Sequence, residues 1–138
     1  LLVCADHGHI DTAPERTVRV EDHPALATAL TLPLCGEPRT AYCYVAPDKA
    51  QAFERYVTER LAQQCRLLTR AELLSSGWLG PGIPHPQLDS RVGDYILLMR
   101  DNWVIRDRLL GEEPPVQVGV HGGVSTAEMS VPLVVLGA

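Results

Sequence analysis

Two short segments near opposite ends of the chain carry side chains that could ligate a metal ion. The first is Asp6-His7, which follows the apolar run Leu1–Ala5. The second is His121, which follows the run Val116–Val120 and precedes two glycines. Imidazole and carboxylate are common zinc ligands, and their mixture is typical of catalytic rather than closed structural sites. These residue types therefore point to metal chemistry.

Each of these residues also has a purely structural interpretation. His7 and His121 could be hydrogen-bonded inside a core, and the Asp-His-Gly segment could be an ordinary polar turn. Both histidines end a predicted strand and precede glycine, which permits close backbone approach, and this shared context favours ligation. Ser125 could be a nucleophile, but the spacing Ser125-x-x-Glu128 is that of a helix capping box and favours a structural role.

Apolar runs at both ends of the chain predict the strands that would carry these ligands. They are Leu1–Ala5, Val116–Val120 and Val131–Leu136, which we interpret as buried strands of an α/β fold. Ligands of open α/β sheets bind beyond the carboxyl ends of strands. We therefore expect residues 1–16 and 116–138 to form a parallel sheet core in which adjoining parallel strands bring the three ligands together.

Residues 17–115 are predicted to form an inserted α+β subdomain that shapes access to the site. Its clearest helix follows Asp48, a candidate N-cap, and carries an apolar stripe of Phe53, Val57 and Leu61 that should pack on a sheet.

Two further elements are predicted inside this subdomain. The pair Thr69 and Glu72 has the spacing of a second capping box, for a helix that ends at Gly77. Two apolar runs, Tyr95–Met99 and Trp103–Ile105, flank a short polar segment and predict a β-hairpin.

Composition and charge narrow the class of protein. The chain has 138 residues, enough for one domain with a real core. Its formal net charge of −5 argues against a surface for duplex nucleic acid, which usually needs a basic face. No apolar run is long enough to span a bilayer, so we expect no membrane segment.

The four cysteines are Cys4, Cys35, Cys43 and Cys65, and they lie far apart without a Cys-x-x-Cys motif. We interpret them as free thiols, with Cys4 and Cys43 buried in strands. A disulfide framework or a redox function is the alternative interpretation. Free thiols favour a cytoplasmic location without determining the compartment.

The two terminal segments together resemble the alkaline phosphatase superfamily. The residues that carry the resemblance are Leu-Leu-Val-Cys-Ala-Asp-His-Gly at the start and His-Gly-Gly-Val-Ser-Thr-Ala-Glu-Met-Ser-Val-Pro-Leu-Val-Val near the end. The most similar branch is that of type I phosphodiesterases and nucleotide pyrophosphatases. The resemblance implies a metal-dependent hydrolase of small phosphate esters with two divalent ions, zinc above all. Asp6 and His7 map to one ion and His121 to its neighbour.

Other residues that the family requires have no counterpart in this sequence. These are the nucleophile, a further aspartate and an Asp-x-x-x-His pair; no aspartate has a histidine four positions later. We therefore expect a carboxy-terminal piece of a larger hydrolase, with the amino-terminal part of the same protein as its partner, and no turnover by the piece alone. The alternative is a non-catalytic binding or regulatory domain that is derived from the same fold.

Three other residues are weaker candidates for the site. His9 lies two positions after His7 and could contact substrate or support a ligand. Asp11 could orient a ligating histidine by accepting a hydrogen bond from it. His85 lies between prolines in a loop and could face the cleft. For all three, a solvent-exposed side chain is the alternative.

Overall fold

The computed structural model describes residues 1–109, 111 and 117–137. These residues form ten short strands and five α-helices. The strands are β1 (Leu2–Cys4), β2 (Ile10–Asp11), β3 (Thr17–Arg19), β4 (Cys35–Glu37), β5 (Thr40–Cys43), β6 (Cys65–Thr69), β7 (Tyr95–Met99), β8 (Val104–Arg106), β9 (Gly119–Val120) and β10 (Leu133–Val135). The helices are α1 (Pro24–Ala27), α2 (Ala50–Arg60), α3 (Arg70–Ser75), α4 (Leu88–Arg91) and α5 (Thr126–Met129).

The middle of the chain is built on a four-stranded antiparallel sheet with the order β4-β5-β7-β6. All five residues of β7 are buried, because both faces of this central strand are covered. Leu97 faces the larger core, which also contains Phe53 of α2. Ile96 faces a smaller core, which contains Leu73 of α3. The sheet thus lies between α2 on one face and α3 on the other.

The apolar stripe of α2 packs on the sheet as predicted. Phe53, Val57 and Leu61 are at most 2% exposed and share one core with residues of β5 and β7. The predicted cap was wrong: Asp48 lies in a 3-10 turn, Pro47–Lys49, ahead of the helix, and the residue at the N-cap makes no side-chain hydrogen bond. The proline already fixes the entry into the helix, so it forms without a side-chain cap.

The capping box that was predicted for α3 is confirmed. Thr69 accepts a hydrogen bond from the backbone of Glu72, whose carboxylate accepts one from the backbone of Thr69. Gly77 follows the helix with a φ of 75°, in the left-handed region that favours glycine at this place.

The predicted hairpin between β7 and β8 does not form. Both edges of β7 are occupied, by β5 on one side and β6 on the other, so no edge is left for β8. The chain instead turns at Asp101, which has a φ of 43°, and β8 pairs in parallel with β3. The short polar segment marked a turn correctly but did not identify the strand that β8 would join.

The two ends of the chain pair with each other, but in antiparallel fashion. Strand β1 runs against β10, and β2 runs against β9. Parallel strands were expected here, so this part of the prediction is corrected. Val116 of the predicted strand Val116–Val120 lies outside the described residues, and Gly119–Val120 form the strand in the part of this segment that the structure describes.

The expectation that Leu1–Ala5 is buried was also wrong. Leu2 of β1 is 70% exposed, and Leu133 of β10 is 67% exposed. No described residue covers either strand, since every residue of β1 and of β10 is exposed. Apolar character alone predicted a strand correctly here, but it could not show whether anything packs on it. Among the described residues, no helix has the length and apolarity that a membrane span needs.

The four cysteines are free, as expected, but their burial differs from the prediction. Cys43 is buried, which confirms one assignment, whereas Cys4 is exposed because β1 is exposed. Cys65 is also buried, and Cys35 is exposed. Burial raises the pKa of the Cys65 thiol to about 12, so this thiol is protonated at neutral pH.

Candidate metal centre

Three imidazoles from the two ends of the chain meet at one place. His7 lies just after β1 and His121 just after β9, and their rings are stacked with centroids 3.8 Å apart and an interplanar angle of 17°. The ring of His9 lies 4.9 Å from that of His7 and 5.1 Å from that of His121. One nitrogen from each of the three rings lies within 4.8 Å of the others. The antiparallel pairing of the ends thus brings the predicted histidines together.

Asp6 and His7 have the geometry of two ligands on one ion. The Nε2 atom of His7 is 3.5 Å from Oδ2 of Asp6. Two ligands of a tetrahedral zinc ion at the usual bond lengths are about 3.4 Å apart. The Nδ1 atom of His7 lies 3.0 Å from the carbonyl oxygen of Gly8, and donation there leaves Nε2 free to ligate.

The carboxylate of Asp6 is held in its charged form. Its Oδ1 atom accepts a hydrogen bond of 3.0 Å from the backbone N–H of His7. The pKa of this carboxyl lies below its usual value. The largest cause is a hydrogen bond from the backbone N–H of Asp6 itself, followed by the electrostatic interaction with His7 and the hydrogen bond from the backbone of His7. The side chain of Asp6 is 87% exposed, so its carboxylate is accessible to a cation from solvent.

The Asp-His-Gly turn contacts α5 directly. The backbone N–H of Gly8 donates to the carbonyl oxygen of Glu128 at 2.8 Å. A Cβ atom at Gly8 would overlap the carbonyl oxygen of Ala127, so only glycine fits this contact. The first end of the chain is therefore positioned against the second by backbone atoms.

A buried ion pair attaches the second end of the chain to the central sheet. Nε and Nη2 of Arg39 donate to the two carboxylate oxygens of Glu128, each at 3.0 Å, and both side chains are 1% exposed. Glu128 also accepts hydrogen bonds from Gly123 N–H at 2.8 Å and from the Ser125 hydroxyl at 2.6 Å. We call this arrangement of Arg39, Glu128, Gly123 and Ser125 the buried clamp. It fixes the glycine turn that follows His121.

The clamp keeps Glu128 ionised. Burial raises the pKa of Glu128, but the hydrogen bonds from Arg39, Ser125 and Gly123 outweigh it and lower the pKa to about 2. Next to the clamp, the Thr40 hydroxyl donates to the carbonyl oxygen of Gly122 at 2.6 Å. The loop that carries His121 is thus held at two successive glycines.

Arg39 was not singled out by the sequence, although a signal for it exists. The strand pattern that buries Ala41 and Cys43 has a period of two, and Arg39 lies in phase with them. An arginine on the buried side of a strand requires an anionic partner. Ser125 and Glu128 form the predicted capping box of α5, and the same carboxylate is that partner.

The other candidate residues are divided by the structure. His9 joins the imidazole cluster as its exposed member. Asp11 is exposed on β2, where its Cα lies opposite Gly119 of β9. His85 is exposed, and its Nδ1 accepts a hydrogen bond from the backbone of Gln87. Neither Asp11 nor His85 is part of the cluster. The roles of all the candidate residues in binding remain predictions.

Comparisons with known proteins give a structural likeness. The chain superimposes on phosphonoacetate hydrolase from Sinorhizobium meliloti 1021 in complex with phosphonoformate, with a TM-score of 0.61 at 20% sequence identity. The same enzyme in complex with phosphonoacetate gives a TM-score of 0.57 at 21% identity. The chain has an alkaline-phosphatase-like α/β fold. No family model and no curated protein matches the sequence.

The likeness covers most of this chain but a minor part of the neighbours. It includes 96% of this chain and 35% of the phosphonoacetate hydrolase chain. The predicted α/β class is therefore confirmed. The assignment to the alkaline phosphatase superfamily, which rests on the two terminal motifs, stays a prediction. The finer assignment to type I phosphodiesterases and nucleotide pyrophosphatases stays a prediction.

Proposed function

We propose that this chain is part of a metal-dependent hydrolase of phosphoric esters, similar to phosphodiesterases and nucleotide pyrophosphatases. The observation that carries the proposal is the meeting of His7 and His121, which are 114 positions apart in sequence, with ring centroids 3.8 Å apart. Asp6 extends this pair by one carboxylate. The set combines nitrogen and oxygen donors, without thiolate, as the catalytic zinc sites of thermolysin type do.

The residues present fit a pair of divalent ions, zinc above all. Asp6 and His7 would hold one ion through atoms that are already 3.5 Å apart, and His121 would hold its neighbour. His9 is close enough to support either position. Two such ions offset the charge that develops on the attacking and leaving oxygens of a phosphoryl group. The protein contributes the fixed spacing, through the Gly8 contact and the buried clamp.

The neighbours support chemistry at phosphorus. Both were crystallised with phosphonates, phosphonoformate in one case and phosphonoacetate in the other. No nucleophile is assigned within this chain: the hydroxyl of Ser125 donates to Glu128 and caps α5, so it is occupied in the fold. We therefore expect the 138-residue chain alone to show no turnover of a bis-aryl phosphate.

Zinc titration by calorimetry tests the proposal. The chain should bind zinc saturably, and both His7→Ala and His121→Ala should weaken binding at least about tenfold, because even the loss of a residue that only supports a ligand typically costs about 10- to 100-fold. His85→Ala is the matched control, since His85 is an exposed histidine outside the cluster, and it should leave zinc binding unchanged.

Two outcomes would contradict the proposal. One is the absence of zinc binding, which would favour the non-catalytic binding domain. The other is binding that His7→Ala and His121→Ala leave unchanged, which would place the ion elsewhere. Zinc-dependent hydrolysis of bis(p-nitrophenyl) phosphate by the chain alone would refute the expectation that its nucleophile is absent.

A further inference from the structure

A large cavity opens directly beside the imidazole cluster. Its volume is about 640 Å³, within the range of small-molecule sites in proteins. His7 and His121 form part of one wall, together with the glycine turn that the buried clamp holds. A group attached to a phosphoryl at the candidate metal centre would therefore extend into this cavity.

The remaining wall of the cavity is mainly apolar, and Thr40, Tyr42 and Glu128 are the polar residues that also line it. The floor of the cavity is formed by α3 and by the face of the four-stranded sheet on which α3 packs. The rim is formed by residues that follow α3. The floor includes Leu68, Leu73, Ile96 and Leu98, and the rim includes Trp78 and Leu79. Trp78 is 49% exposed and Leu79 is 45% exposed, so the rim presents apolar surface that nothing else in the described chain covers. Covering such surface with an apolar ligand is favourable.

The cavity offers no cation to a negatively charged ligand group. Among the described residues that line it, there is neither lysine nor arginine. Arg39 lies behind the glycine turn, but its guanidinium already donates hydrogen bonds within the fold. Its Nε and Nη2 donate to Glu128, and its Nη1 donates to the carbonyl oxygen of Trp103. A carboxylate that entered this cavity would lose hydration without gaining an ionic partner.

We propose that this cavity binds the apolar part of the substrate's leaving group, an aryl or branched alkyl group joined to the phosphoryl through the ester oxygen, and disfavours a carboxylate such as that of phosphonoacetate. The inference deepens the proposed function, on which it rests, by assigning a substrate class to the same site. It also separates this chain from its structural neighbours, which were crystallised with carboxylate-bearing phosphonates.

Three phosphonates that differ only in the attached group test the inference on the zinc-loaded chain. Phenylphosphonate should bind at least about tenfold tighter than methylphosphonate, since a difference of one methylene in an apolar pocket already gives about that factor. Phosphonoacetate should bind no tighter than methylphosphonate. Equal affinities for all three, or a preference for phosphonoacetate, would overturn the inference while leaving zinc binding intact.

Variants at the rim locate the effect. Trp78→Ala should weaken phenylphosphonate binding and leave methylphosphonate binding unchanged. Met129, which lines the cavity and is 66% exposed, allows the reverse change: Met129→Lys should tighten phosphonoacetate binding. Ile83→Ala is the matched control, because Ile83 is 99% exposed and does not line the cavity. An equal loss in Trp78→Ala and Ile83→Ala would contradict the assignment.

The failure of the metal centre can be told apart from the failure of the cavity. If the chain binds no zinc, the proposed function fails, and the cavity is then tested without metal. Benzyl alcohol should shift the methyl resonances of Leu68 and Leu98, which line the cavity, and should leave those of Leu26 in the other core unchanged. The absence of these shifts would show that the cavity does not take aromatic ligands.

Discussion

The middle of the chain and its two paired ends are stabilised in different ways. In the middle, Phe53, Ile96 and Leu97 are fully buried between the sheet and its helices. At the ends, Leu2 and Leu133 are 70% and 67% exposed, and in the described part of the chain β1 pairs with β10 alone. Apolar burial therefore stabilises the middle, whereas the candidate metal ligands lie on the part of the chain that has little core of its own.

Several polar contacts join the ends to the middle. Arg39 of the middle pairs with Glu128 of the second end, and Thr40 donates to Gly122 beside it. Thr12 of the first end donates to the carbonyl oxygen of Asn102 at 2.9 Å. We propose that residues 17–115 form a subdomain on which residues 1–16 and 116–138 are positioned. The geometry of the candidate site then depends on the buried clamp.

Breaking the clamp should have the largest effect on stability. Arg39→Met leaves the carboxylate of Glu128 buried without its cation, which typically costs about 3 to 5 kcal/mol of unfolding free energy. Urea denaturation at neutral pH measures this loss. Asp89→Asn is the control, because it removes an exposed partner of Arg70 and should cost less than about 1 kcal/mol.

A double variant separates the charge from the packing. Adding Glu128→Leu to Arg39→Met removes the unpaired charge and should recover part of the lost stability. If Arg39→Met costs no more than Asp89→Asn, the clamp does not join the ends to the middle, and the comparison between the two regions loses its physical basis.

Two leucines sharpen the comparison between the regions. Leu97→Ala opens a cavity in the core beneath α2 and should cost about 3 kcal/mol. Leu2→Ala makes the same chemical change on the exposed strand β1 and should change the unfolding free energy by less than about 0.5 kcal/mol. Urea denaturation of the two variants gives both values. Similar losses for the two leucines would show that β1 is packed in solution.

Local patterns in the sequence predicted the helices and strands, whereas the pairing of strands that are distant in sequence could not be predicted from such patterns. The stripe of α2 and the capping boxes of α3 and α5 depend on residues no more than eight positions apart, and all three are confirmed. The partner of β8 depends on which edges of β7 are already occupied, which no local pattern contains. Periodic patterns within single helices and strands therefore predicted these elements of the middle better than they predicted which strands pair.

The candidate site shows the same division. The terminal motifs predicted that His7 and His121 would meet, and they do so through antiparallel strands rather than parallel ones. Arg39 was missed because its partner, Glu128, is 89 positions away. Its in-phase position on a buried strand face was nevertheless visible, and the rule that a buried charge needs a partner would have predicted an acidic residue beside it.

The pH dependence of stability gives the most specific test of the clamp. The pKa of Glu128 in the folded chain is about 2, below its ordinary value of 4.5. A carboxyl with a lowered pKa stabilises the fold above the unfolded-state pKa, and this contribution is lost as the pH falls toward the folded-state pKa. The unfolding free energy should therefore fall between about pH 4.5 and pH 2.

Glu128→Gln should reduce this slope, because the amide does not titrate. Exposed carboxyls such as Asp6 and Glu72 titrate in both proteins, so the difference between the two urea-denaturation series isolates Glu128. Parallel pH profiles would mean that Glu128 is not held as a buried anion.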